Sequence, residues 1–273
     1  MDPDRSVTEA RRRVAEHNAA EAEAFDRYWA PTLRLMSTAL LPHLPLERAR
    51  RVLDVGCGTG GLIPALRAAA GAHGATVIGV DLTEGMLALA RRNTGAPLAA
   101  MAAEQLGLRD GSVDVALTTF VLHRIQQPAD ALSEVARVLR PGGAFGIVSW
   151  GKTSPSEATR IWNGEMDTLK LPPPEPQITS NHAPFDAPEK LERLLLAAGF
   201  AKARAWRRRF ERRADRDEWL TAQLGYAGGR WLAALPAAER EAFARRVRAL
   251  VAPLEPEAFV HRPEAVFAIG WRP

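Results

Sequence analysis

The chain is short of several things. It has one cysteine, Cys57, in 273 residues, so no intramolecular disulfide can form and a reducing cytoplasmic setting is expected. No apolar run approaches the roughly 20 residues that cross a bilayer, and the opening stretch MDPDRSVTEARRR is too polar for a secretory signal. No membrane span is therefore expected. The six histidines are scattered and Cys57 has no close histidine partner, which excludes a His/Cys metal site of recognisable spacing, so no metal is expected. G-x-S-x-G and similar nucleophile motifs are missing, and no internal repeat is evident. Lysine occurs only at Lys152, Lys170, Lys190 and Lys202, so the net charge of +4 comes almost wholly from arginines interspersed with acids. The densest basic run, WRRRFERR from Trp206, alternates aromatic and basic side chains and reads as a solvated edge strand. No nucleic-acid partner is expected.

What is present is ordinary for a globular protein: 47% hydrophobic and 25% charged residues. Strands are expected near residues 51–55, 75–80, 97–101, 113–119, 143–149, 202–210 and 264–271, with helices between them. The turns into the fourth and fifth strands are read at Asp110-Gly111-Ser112 and Pro141-Gly142-Gly143. The most informative stretch is RVLDVGCGTG, residues 51–60, where a strand runs into a glycine turn and then a helix. Thirty residues on, a second strand ends at Asp81. That is the adenosine-binding half of a doubly wound fold.

Gly56, Gly58 and Gly61 satisfy the dinucleotide pattern formally, but Asp54 argues against a dinucleotide. Its carboxylate lies two residues before the first glycine, where a pyrophosphate would sit on the helix N-terminus. A ligand with an ammonium and a sulfonium would instead be drawn to that carboxylate. S-adenosylmethionine (SAM) is such a ligand.

The motifs LDVGCGTG, VDLTEGML, AAEQLGLRDGSVDVALTTFVLHRI and LSEVARVLRPGGAFGIVSW follow one another over about residues 50–150. In that order they resemble class I SAM-dependent methyltransferases, especially the ubiquinone/menaquinone-biosynthesis type and bacterial natural-product enzymes. The resemblance implies a doubly wound, mostly parallel, seven-stranded α/β sheet. It implies cofactor contacts from Asp54, Gly56, Gly58, Gly60 and Thr119, ribose contacts from Asp81, and adenine contacts from Leu82 and Met86. Ala102 stands where many relatives carry an aspartate, which leaves the adenine amino group to the Ala103 backbone and to Glu104.

Residues 1–45 are expected to fold over the cofactor as a helical lid, with Pro31 opening its second helix, and residues 46–273 to form the SAM-binding domain. The lid supplies Arg34 for the carboxylate of SAM and Tyr28 and Trp29 for the acceptor. The long proline-rich stretch 151–188 reads as a loop lining the acceptor pocket. Residues 213–260 read as a helical cap inserted before the last strand, with Tyr226 and Trp231 joining Trp150 as acceptor contacts. His123, just beyond the fourth strand, is the candidate general base. His182 and His261 are weaker candidates, and His17, His43 and His73 read as surface residues.

The function expected is methyl transfer to an oxygen, nitrogen or carbon of a small, partly apolar molecule, leaving S-adenosylhomocysteine (SAH). Two alternatives stay open: a SAM-binding enzyme of the same fold catalysing cyclisation, and a non-catalytic SAM-binding regulator. The sequence leaves the oligomeric state open.

Overall fold

Short β-branched and apolar runs alternate with amphipathic ones along the chain, and in the computed structural model they assemble one seven-stranded sheet. The structure describes residues 8, 12, 13, 15, 21–71, 74–173 and 180–273. The strands are β1 (Arg51–Val55), β2 (Thr76–Asp81), β3 (Leu98–Ala100), β4 (Val113–Thr119), β5 (Leu139–Trp150), β6 (Lys202–Arg209) and β7 (Glu264–Trp271). Their order is β3-β2-β1-β4-β5-β7-β6. The first five pair in parallel, and β7 runs antiparallel between β5 and β6. Chain order reverses between β1 and β4. Their carboxyl ends therefore flank the crevice where a doubly wound sheet takes its ligand.

Both faces of the sheet are covered, which is why its parallel strands read as near-continuous apolar runs. Helices α1 (Ala30–Thr38), α2 (Ile63–Ala70) and α3 (Glu84–Thr94) cover one face, burying Met36, Leu66 and Leu87 against Val52, Val77 and Phe267. Helix α4 (Pro128–Val138) covers the other face, sending Leu132 and Val135 against Leu53 and Ile147. Gly95 ends α3 in the left-handed conformation (φ +57°), and its N–H bonds to the Arg91 carbonyl.

Three expectations need correction. Residues 151–188 are not all loop: α5 (Glu157–Thr168) lies inside them. Ser156 caps it by accepting the Thr159 N–H at 3.2 Å, and Ala158 and Trp162, four residues apart, share a buried face. The proline content on both sides had hidden this short amphipathic run. Part of the proline-rich stretch, residues 174–179, lies outside the described residues. The fifth strand begins at Leu139, before the expected turn, because Pro141-Gly142-Gly143 forms an irregularity within it opposite Val113–Val115. Pro31 does not open a separate helix: α1 continues from a π-helical turn at Phe25–Trp29, and the proline, which cannot donate an N–H, falls in α1's first turn.

After α6 (Pro188–Ala197) and edge strand β6, the chain forms α7 (Arg216–Ala222), a second π-helical turn (Gln223–Ala227), α8 (Gly229–Leu232) and α9 (Ala237–Val251) before β7. These elements and α5 share a separate apolar core. At its centre Trp162 meets Trp219 and Phe243 edge-on, with ring centroids 6.3 and 5.4 Å apart. Among the described residues, no helix is long and apolar enough to cross a membrane.

Trp162→Ala is expected to remove about 3–5 kcal/mol of stability, the usual cost of deleting a buried large aromatic. Urea unfolding followed by circular dichroism checks this. A loss below ~0.5 kcal/mol would mean that the second core is not part of the cooperative unit.

Candidate active site

Three adjoining cavities lie beyond the carboxyl ends of β1, β2 and β4. Gly56 lines all of them. The central one, about 670 Å³, has Asp81 and Met86 on one side and Trp29, Phe120, Trp150 and Tyr226 on the other. A second, about 650 Å³, runs past Leu82, Ala102, Ala103 and Glu104. A third, about 430 Å³, is bounded by Arg34, Asp54, Thr59 and Thr119.

The glycine turn shapes the junction. Gly56 has φ +75°, and a Cβ there would lie 2.5 Å from a methyl of Val121. Only glycine lets the loop after β1 close against the loop after β4. Gly60 serves differently from expectation. It faces helix α3, where a Cβ would come within 2.7 Å of the Thr94 methyl, so it packs the turn onto that helix. Across the crevice Phe120 holds φ +58°, a costly conformation for a bulky residue. Its N–H is tied to the Val148 carbonyl at 2.7 Å and its ring rests on Trp150 at 4.4 Å.

Asp81 accepts the N–H of Gly58 through one oxygen and that of Thr83 through the other, each at 2.9 Å. Burial raises its pKa, while the two amides and the Arg124 charge act to lower it. Asp54, 2% exposed, has its pKa pushed up to about 7, first by burial and then by the negative charge of Asp81. Two carboxylates thus share a site with too little water to solvate them, which favours a cationic ligand. Thr59, 1% exposed, carries a hydroxyl oxygen with no hydrogen-bond partner among the described residues, where the third cavity meets the turn. Its position suits a polar group entering that cavity. These features fit SAM: room for adenine past Leu82, the Asp81 carboxylate at ribose height, and Asp54, the Thr59 hydroxyl and Arg34 around the methionyl end. They do not fit a pyrophosphate.

His123 lies in the wall of the central cavity, 7% exposed, with its ring stacked on His182 at 4.1 Å. Burial, reinforced by His182 and Arg124, pushes its pKa down to about 3. The imidazole is neutral across the physiological range and is a weak base, unlike the imidazole near neutrality that its position suggested. Tyr28 and Trp231 do not join the cavity walls. The Tyr28 ring packs against Gly225 and under the Arg27 guanidinium, and Trp231 is partly exposed on α8. His261 touches the site through Trp29, at 6.3 Å between rings, while His17 and His73 lie outside the described residues.

Sequence reasoning missed Phe25, Thr59, Phe120, Val121 and Arg124 in the walls. Phe120, Val121 and Arg124 flank His123 within one motif, so their nearness to the ligand ends of the strands was readable. Phe25 carried no signal beyond an amphipathic helix. Among the described residues, no group of three or more His, Cys, Asp or Glu side chains could hold a metal.

Residues 53–147, which hold the glycine turn, Asp81 and His123, match the family described as a methyltransferase domain. Over those residues the chain carries a methyltransferase domain, set in a sheet of the class I methyltransferase fold. Its cofactor is SAM. The ubiquinone biosynthesis O-methyltransferase of Agrobacterium fabrum is 34% identical over 164 residues, which are 58% of this chain and 61% of that protein. The malonyl-[acyl-carrier protein] O-methyltransferase of Enterobacter lignolyticus is 33% identical over 130 residues, 47% of this chain and 50% of that protein. The chain thus spans between 30% and 61% of the length of the curated relatives it matches. A solved SAM-dependent methyltransferase from Thermotoga maritima superimposes with a TM-score of 0.55 at 18% identity, covering 93% of this chain and 98% of that one. At that identity the likeness speaks for the fold.

The buried acid pair makes stability depend on pH. Asp54 titrates near 3.8 ordinarily and near 7 in the fold. Between those values the folded state holds more protons than the unfolded one, so stability falls as pH rises through that window. In the ligand-free protein, Asp54→Asn should remove this fall, its advantage over the parent growing from pH 4 and levelling above pH 7. Urea midpoints measured across that range check the prediction. Parallel profiles would show that the fold does not raise the Asp54 pKa.

Proposed function

We propose that the protein transfers the methyl group of SAM to a small, partly apolar molecule in the central cavity. The observation that carries this reading is the pairing of Asp54 and Asp81 beside a tight glycine turn, opening directly onto an aromatic-walled space. Asp81 accepts hydrogen bonds from the ribose hydroxyls, Leu82, Met86, Ala103 and Glu104 surround the adenine, and Asp54, Gly56, Gly58 and Thr119 border the methionyl arm. Thr59 and Arg34 hold its carboxylate. Trp29, Trp150 and Tyr226 hold the acceptor.

SAM supplies an already activated methyl group. The protein's own contribution is then to align the acceptor atom and to exclude water. The N-terminal helices act as a lid, and segments 151–188 and 213–260 act as a cap. Support for this comes from the Phe25 and Trp29 rings, each 6.2 Å from Tyr226, and from Glu21 and Arg230, paired at 3.7 Å, which together join the two segments over the cavity. His123, neutral in its buried site, orients the acceptor or its neighbours. A cytoplasmic setting belongs to the same reading, in keeping with a lone buried thiol.

Calorimetry should show binding of SAM or SAH and none of NAD. Each charge-assisted hydrogen bond is worth about 1.5–3 kcal/mol, so Asp81→Ala should weaken SAH binding at least about tenfold. Unchanged affinity in a folded variant would refute the ribose assignment. SAH accumulating in step with product distinguishes methyl transfer from a cyclisation in which SAM is not consumed.

A further inference from the structure

Two carboxylates border the central cavity: Asp81 at the end of β2 and Glu21 in the N-terminal segment. Asp81 is committed to two backbone amides. Glu21 stands four residues before Phe25, so one helical face carries both side chains to the cavity wall. Arg230 of α8 lies beside it, Nε to Oε1 3.7 Å, and the carboxylate is 15% exposed. It is therefore charge-paired across the cavity mouth and still part of the wall. Burial raises its pKa, and that rise outweighs the opposing charges of Arg230 and Arg124. A carboxylate so held is a stronger base than one in water.

The other titratable groups about the cavity serve less well as bases. Burial pushes the His123 pKa down to about 3, lowers that of His182, and pushes the Tyr226 phenol up to about 12. Arg124, already engaged by its surroundings, is a permanent cation. The rest of the wall is aromatic. Trp29 lies 5.9 Å from Trp150 at 29° and 6.2 Å from Tyr226 at 23°, a set of nearly parallel rings. Ring faces are negative, so rings and carboxylates together attract an organic cation.

We propose that the acceptor is an amine carried on an apolar or aromatic body, that it enters as the ammonium, and that Glu21 takes its proton. The proposal rests on the methyl-transfer reading. Beside the sulfonium of SAM, in a site poor in water, an ammonium is held less firmly to its proton. That proton passes to a Glu21 carboxylate oxygen. The freed nitrogen lone pair then forms the bond to the methyl carbon as the carbon–sulfur bond breaks, and its electron pair leaves with sulfur. A methylated ammonium, SAH and protonated Glu21 result, and Glu21 returns its proton to water when the lid opens. A carboxylic acid would enter as an anion and be repelled by Glu21 and Asp81. An alcohol would need a stronger base than a carboxylate. Glu21 thus both selects the acceptor and prepares it.

The test titrates the full chain, saturated with SAH, with naphthylmethylamine, naphthylmethanol and naphthoate, by calorimetry. The amine should bind at least about tenfold more tightly than the alcohol, a difference of about 1.4 kcal/mol, and the acid more weakly than either. With SAM in place of SAH, the parent should release the N-methylamine, read by mass spectrometry. Glu21→Gln should lower kcat about 10²–10⁴-fold, leave SAH affinity within about twofold, and erase the rise of rate with pH through the Glu21 pKa. Arg230→Gln breaks the same ion pair but keeps the base, so it should retain turnover and move that rise to higher pH. Equal losses in the two variants with no such move would make Glu21 only a tie between lid and cap, and would overturn the proposal. So would equal affinity for amine and alcohol, tighter binding of the acid, or binding of none of the three. If SAH itself does not bind, the methyl-transfer reading fails first, an outcome separable from loss of amine preference alone.

Discussion

Burial of two carboxylates side by side is the constraint around which the rest of the molecule is arranged. Asp54 and Asp81 end neighbouring strands, and their mutual repulsion is felt in the raised Asp54 pKa. The glycine turn offsets part of that cost by aiming the Gly58 amide at Asp81, which requires Gly58 at φ +54°. Thr83 supplies the second amide from the opposite side. The turn can sit close enough only because Gly56 leaves room for Val121, so the loop after β4 is fixed by the same contact. What remains uncompensated is negative charge, and a cationic ligand is the natural partner for it. In the empty protein that charge lowers stability.

A second principle governs the elements added to the sheet. Each has its own reason to be ordered before it meets the cavity. The helices between β6 and β7, with α5, carry a core of their own around Trp162, Trp219 and Phe243. The N-terminal segment packs Ala22 and Phe25 against Met86 and Leu89 of α3. That segment and the helices between β6 and β7 meet through π-helical turns, Phe25–Trp29 and Gln223–Ala227. A π-turn rotates the side chains that follow it relative to a regular helix, and such turns concentrate at functional sites. Here they bring Phe25, Trp29 and Tyr226 to the cavity together.

The sheet was legible because its strands are apolar runs bounded by glycine, proline and aspartate, and because the glycine turn and Asp81 sit at fixed places relative to them. The acids at the site were legible for the same reason. Less legible was anything set by contacts distant in sequence. Helix α5 was hidden by the prolines around it, although Ser156 marks its start. Tyr28 and Trp231 looked equivalent to Trp29 and Tyr226 by composition, and only the packing of one helix on another decides which ring faces the cavity. The weak basicity of His123 is likewise a property of its surroundings: a histidine after the fourth strand reads as a base until burial and the Arg124 charge are seen.

Cys57 is the sole thiol, and it is sealed inside the glycine turn beside Gly79 and Leu98. Burial and the neighbouring Asp54 and Asp81 raise its pKa, so the reactive thiolate is suppressed as long as the turn stays closed. Until the turn opens, an alkylating reagent meets a buried, protonated sulfur. The protein therefore contains a built-in clock: the rate at which one sulfur is modified counts local openings of the turn, and any molecule that settles there slows the count without a label having to be attached.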